Sequence, residues 1–270
     1  MPAGAERIAE AFAHARAEGR VAALMPYLMG GYPDLDGSRA IGLAYADAGA
    51  DLVELGIPFS DPLADGPVIH AAATAALRSG ATVPAVLEVA RAIAERVPVV
   101  VMCYVNPILA RGVERFADQL VAASVSGVIV PDLPFEEASE LRAACAARGL
   151  ALVPLVAPTT PEDRLERIGA AASGFVYTVS VTGTTGERTG TDSGLSAVLA
   201  RAAAHTTVPV AVGFGISTPE QAAAAAAAGA DGVIVGSRLV RAAGEAQNAP
   251  RATGDLVRSF AGALSGASLG

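Results

Sequence analysis

Glu54 interrupts the apolar run Leu52-Val-Glu-Leu-Gly-Ile57, which otherwise has the make-up of a buried strand. A carboxyl withdrawn from water is costly to ionise, so its pKa climbs toward neutrality and it can lend and recover a proton near pH 7. The structural alternative is an ion pair, but no lysine or arginine lies between Arg39 and Arg78 to supply one locally. The next segment, Pro58-Phe-Ser-Asp-Pro-Leu-Ala-Asp-Gly-Pro67, is rich in turn-forming residues and adds Asp61 and Asp65. Asp61 precedes a proline and suits an ordinary turn or cap, which leaves Asp65 as the stronger partner for Glu54. Two carboxyls in unlike surroundings divide the labour: the buried one moves protons, and the wetter one stays charged and stabilises a developing cation.

A second kind of chemistry is suggested late in the chain. Gly213-Phe-Gly-Ile-Ser217 and Val235-Gly-Ser237 each place glycine at the end of an apolar run. Gly215 and Gly236 would let a ligand approach the backbone closely, and Ser237 would open a helix whose free N–H groups hold phosphate. Between these runs and the middle of the chain lies Val181-Thr-Gly-Thr-Thr-Gly-Glu-Arg-Thr-Gly-Thr-Asp-Ser193, which is too polar to pack a core. It is either disordered or a lid that closes over the substrate. Tyr177, just before it, would either line the pocket or belong to the core.

These residues need a scaffold that brings them to one place. Short β-branched runs alternate with alanine-rich helical segments along the whole chain, the pattern of parallel βα units. Strands are expected at 22–28, 51–55, 98–103, 127–130, 151–155, 174–178, 209–212 and 232–235. Eight such units over 270 residues fit a single (β/α)8 barrel of the TIM type spanning residues 1–270, with an extra amphipathic helix at the N-terminus. Asp47-Ala-Gly-Ala-Asp51 recurs as Ala227-Ala-Gly-Ala-Asp231, a helix stop at glycine followed by a new strand. In a barrel the chemistry sits at the C-terminal strand ends, and phosphate commonly binds after the seventh and eighth strands. Alternation along the second strand puts Leu52, Glu54 and Gly56 on the inner face and Val53, Leu55 and Ile57 against the helices.

Composition narrows the field. A net charge of −8 disfavours nucleic acid, and no apolar stretch has the length and continuity of a membrane span. The N-terminal segment lacks an export signal, so a cytoplasmic location is expected. Cys103, Cys145, His14, His70 and His205 have no metal-type spacing; free buried thiols and no metal site are expected. The chain contains no lysine, which excludes a Schiff-base aldolase and a lysine-anchored pyridoxal site.

Glu54-Leu-Gly-Ile-Pro-Phe-Ser-Asp-Pro-Leu-Ala-Asp-Gly-Pro67 resembles the signature of tryptophan synthase alpha chains. The resemblance extends through Met102-Cys-Tyr-Val-Asn-Pro107, Val130-Pro-Asp-Leu-Pro134, Tyr177 to Gly186, Gly213 to Ser217 and Val235 to Ser237. It implies retro-aldol cleavage of indole-3-glycerol phosphate to indole and glyceraldehyde 3-phosphate. Glu54 would then be the proton shuttle at indole C3, Asp65 the stabiliser of the positive charge at the indole nitrogen, and Tyr177 their neighbour. Phosphate would rest on Gly186, Gly213, Gly215, Gly236 and Ser237 with Phe214 nearby. Tyr27, Ile69 and Tyr104 would border the indole, and Thr185 on the lid would reach Asp65. The resemblance also implies an αββα complex with a beta subunit that carries pyridoxal phosphate, with no cofactor in this subunit. The residue 58–67 loop and the 104–111 region would face that partner. Met29 departs from the family, which usually has threonine there. The alternative is a stand-alone lyase with the same reaction and no beta subunit.

Overall fold

A computed structural model describes residues 3–179, 193–213 and 215–265. Its strands are β1 (Ala23–Met29), β2 (Val53–Gly56), β3 (Val99–Met102), β4 (Gly127–Ile129), β5 (Ala151–Val153), β6 (Leu155–Val156), β7 (Val176–Val179), β8 (Val210–Gly213) and β9 (Gly232–Val235). All pair in parallel, in the order β5-β4-β3-β2-β1-β9-β8-β7-β6. The two outermost members of that order are one stretch of chain. The expected fifth strand is split at Pro154, which has no N–H to give to a ladder. β5 pairs with β4 on one side and β6 with β7 on the other, while the Pro154 carbonyl accepts from Tyr177 N at 2.9 Å. The sheet therefore closes on itself through that proline, and the count of nine is eight barrel staves with one divided. Helices follow each stave, as expected of a (β/α)8 barrel.

The alternation expected on the second strand holds. Leu52 joins Met25, Val100, Ile129, Phe175 and Ile234 in the barrel interior, whereas Val53, Leu55 and Ile57 join the layer between sheet and helices. The N-terminal helix Gly4–Ala17 caps the barrel floor with its apolar side: Ile8 and Phe12 belong to the interior cluster, and the Phe12 ring lies 6.0 Å from that of Phe175.

The repeated Ala-Gly-Ala-Asp turns do the same work twice. Gly49 and Gly229 both adopt positive φ, at 98° and 106°, a conformation glycine reaches without a Cβ clash. The aspartate that follows each turn then accepts a strand amide: Asp51 from Leu24 N at 2.8 Å, and Asp231 from Val210 N at 2.9 Å. Arg20 neutralises the first of these at 2.5 Å, and Arg16 reaches the second at 3.2 Å. This end of the barrel is thus tied by charge and backbone bonds, and the opposite end is left for the site.

Candidate active site

Glu54 is the second residue of β2, paired in register with Tyr27 of β1 and Val100 of β3. Its side chain is buried at 1% exposure, and Oε2 has no hydrogen-bond partner among the described residues. Burial, and then the negative charge of Asp65, push its carboxyl up to about 8. Asp65 comes from the loop after β2 and is half-buried. Burial raises it as well, but a hydrogen bond from Tyr104 and the nearby His70 hold it down, leaving it at about 6. Near pH 7 the pair is therefore a protonated Glu54 facing an ionised Asp65, the division of states that their strand and loop settings imply.

Tyr104 fixes the loop. Its hydroxyl accepts from Ala64 N at 3.0 Å and donates to Asp65, while Phe59 stacks on its ring with centroids 5.3 Å apart. Two further tyrosines flank the carboxyls, and each lies over a glycine that ends the neighbouring strand. A Cβ on Gly56 would fall 2.1 Å from the Tyr27 hydroxyl, and one on Gly213 would fall 2.1 Å from that of Tyr177. Both phenols are held far above their usual range, first by burial and then by the two carboxylates.

A cavity of about 150 Å³ joins these groups. Its acidic end is walled by Tyr27, Glu54, Asp65 and Tyr177, with Met102, Ile69 and Ile234 supplying apolar surface. Its other side is formed by Gly215, Ile216 and Ser217 after β8, and by Gly236, Ser237, Arg238 and Arg241 after β9. Gly215 has φ of +80°, and a Cβ there would meet nothing within 4 Å, so backbone conformation and open space together suit a ligand. Gly236 caps the helix Ser237–Glu245, and its carbonyl accepts from Leu239 and Val240. The amides of Ser237 and Arg238 precede that first intrahelical bond and remain available to an anion.

Of the residues singled out from sequence, Glu54, Asp65, Tyr177, Tyr27, Ile69, Gly215, Gly236 and Ser237 line this one cavity. Gly213 does not line it; it seats the Tyr177 ring instead. Tyr104 is also set back, acting on Asp65 and Ala64 rather than on the space itself. Thr185, Gly186 and Phe214 lie outside the described residues, as does the expected lid at 181–193 except Ser193, which opens the helix Ser193–Ala204. Met29 is 3% exposed and packs in the outer layer opposite Gly56, away from the cavity. Arg238, Arg241 and Met102 were not singled out from sequence. Met102 follows from alternation with Val100, and Arg238 could have been found as the second residue of a helix that opens on Gly-Ser.

Cys103 and Cys145 are buried free thiols. Among the described residues no group of histidine, cysteine and acidic side chains could hold a metal ion, and no helix is long and apolar enough to cross a membrane.

Comparison with known proteins agrees with this geometry. The family model for the tryptophan synthase alpha chain matches residues 12–267. The alpha chain of Gloeobacter violaceus is 53% identical over 239 residues, covering 87% of this chain and 86% of its own length. That of Prochlorococcus marinus is 50% identical over 236 residues, again 87% and 86%. In a solved structure of Mycobacterium tuberculosis tryptophan synthase, a chain 40% identical superposes with a TM-score of 0.90, covering 96% of this chain and 98% of that one. By its strand-end signature, its closed barrel and these relatives, the chain belongs to the tryptophan synthase alpha chain family.

Proposed function

We propose that residues 1–270 act as one barrel domain that cleaves indole-3-glycerol phosphate to indole and glyceraldehyde 3-phosphate. The observation that carries this reading is Glu54, buried and lacking a hydrogen-bond partner at Oε2 among the described residues, in one cavity with Asp65 and a glycine-lined helix N-terminus. Protonated Glu54 delivers its proton to indole C3, which turns the ring into a cationic indolenine. Asp65, ionised, accepts the indole N–H and stabilises that charge. The side-chain hydroxyl then loses its proton to the Glu54 carboxylate, the carbon–carbon bond breaks, and its electron pair returns to the ring. Indole and the aldehyde result, and Glu54 recovers its starting state.

Tyr177 packs beside both carboxyls, and Tyr27 and Ile69 flank the ring. Tyr104 borders the indole pocket indirectly, by fixing Asp65. The phosphate rests on backbone groups near Gly215, Gly236 and Ser237; the family resemblance assigns Gly186 and Phe214 to that end as well, and Thr185 as the lid residue that reaches Asp65. Proton transfer and charge stabilisation suffice for this reaction, so the subunit needs no cofactor of its own. Pyridoxal phosphate belongs on a beta subunit, with which the chain forms an αββα complex in the cytoplasm. The partner would sit on the 58–67 and 104–111 segments, which carry the exposed Leu63 and Leu109.

The test is indole release from indole-3-glycerol phosphate by the full chain, with and without a tryptophan synthase beta subunit. Cleavage that rises strongly with the partner supports the reading. Cleavage at full rate alone would favour a stand-alone lyase, and no cleavage in either case would refute the proposed activity.

A further inference from the structure

We propose that Arg238 is a side-chain ligand of the substrate phosphate, supplementing the backbone amides at the start of its helix. The inference rests on the function proposed above and deepens it. Arg238 is the second residue of the helix Ser237–Glu245, and its half-buried side chain lines the same cavity as Gly215, Ser217 and Ser237. Among the described residues no carboxylate or carbonyl accepts a hydrogen bond from it. The half-buried Arg20 and Arg148, in contrast, are closed onto carboxylates at 2.5 and 2.7 Å. A guanidinium keeps its charge at every accessible pH, and leaving it partly desolvated without a counter-charge is unfavourable unless an anion arrives.

The cavity's own acids do not fill that role. Glu54 is shifted by burial and by Asp65, and Asp65 by burial, Tyr104 and His70; Arg238 is not among these influences. Arg238 therefore serves the end of the cavity remote from the acid–base pair, where the glycines and the helix N-terminus lie. Its planar fork can take two oxygens of one phosphate, a geometry backbone amides cannot offer from a single residue. Arg241, one turn further along, lines the cavity too. The Arg238 charge matters because the whole chain carries −8, which opposes the approach of an anionic substrate.

The experiment compares the full chain with Arg238→Ala and Arg238→Lys in calorimetric titrations with inorganic phosphate and with indole, and in steady-state cleavage at several salt concentrations. Removing one charge-assisted contact should weaken phosphate binding about tenfold to a hundredfold. KM should rise by a similar factor with kcat nearly unchanged, the pattern of lost uniform binding. Indole affinity should stay at the wild-type value, the salt dependence of KM should flatten, and lysine should restore part of the loss. Unchanged phosphate affinity and KM in Arg238→Ala would overturn the assignment, as would an equal loss of phosphate and indole binding. If the wild type failed to cleave the substrate, the proposed activity would fall, yet the phosphate titrations would still decide the role of Arg238.

Discussion

The ionised carboxylate of Asp65, on a loop, faces the buried carboxyl of Glu54, on a strand, and its charge adds to burial in lifting Glu54 to about 8. Each carboxyl owes its state to its own neighbours. Glu54 stays protonated because water is excluded and a negative neighbour is present, and Asp65 stays charged because Tyr104 and His70 offset its own partial burial.

The pH dependence of kcat/KM should therefore be bell-shaped. Asp65 must be ionised, so activity falls below about 6, and Glu54 must be protonated, so activity falls above about 8. Asp65→Asn should lower kcat about a hundredfold or more, abolish the acid limb and move the alkaline one to lower pH, because the charge that helps lift Glu54 is gone. A pH profile with the acid limb intact in Asp65→Asn would assign that limb to another group.

The same shift costs stability. A carboxyl at about 8 in the folded chain and 4.5 when unfolded binds more protons folded, so stability declines as pH rises from 4.5 to 8 and levels off above that. Glu54→Gln removes this titration. The variant should unfold at higher temperature than wild type at pH 8, with a gain of a few kcal/mol at most, roughly the linkage worth of such a shift. At pH 4.5 the two should melt together, which thermal unfolding across that range checks.

Tyr104→Phe removes the donor to Asp65 and the acceptor for Ala64 N. Losing one bond to a charged acceptor, worth roughly 1.5 kcal/mol, should move the acid limb of the pH profile upward by about one unit. A purely structural role for Tyr104 would lower activity without moving the limb.

Gly213→Ala should displace Tyr177, because the added Cβ would fall 2.1 Å from its hydroxyl in a fully buried setting. Overpacking of this kind costs about 1–3 kcal/mol of stability. Turnover should fall by more than phosphate affinity does. Equal losses in both would return Gly213 to the phosphate-binding group.

Much of this is legible in the amino-acid sequence. The inner placement of Glu54 follows from alternation alone, because Val53, Leu55 and Ile57 had to face the helices. The left-handed glycines of the repeated turn follow from the Ala-Gly-Ala-Asp pattern. What the pattern could not show was which side chains share a space across strands distant in sequence. Tyr177 over Gly213 and Tyr27 over Gly56 are contacts set by the stagger of neighbouring strands. The division of the fifth stave at Pro154 likewise depends on which neighbour claims each half. Arg238 is harder to read, because an arginine early in a helix usually belongs to the solvated surface, and its place after Gly-Ser gains meaning only with the cavity wall it lines.

The most direct measurement is turnover of indole-3-glycerol phosphate by Glu54→Gln at saturating substrate, alongside phosphate affinity. General acid–base catalysis contributes about a hundredfold to ten-thousandfold, so indole formation should fall by at least about a hundredfold. Phosphate affinity should be unchanged in a fully folded variant. Turnover within about tenfold of wild type would contradict a proton-shuttling role for Glu54 and the mechanism built on it.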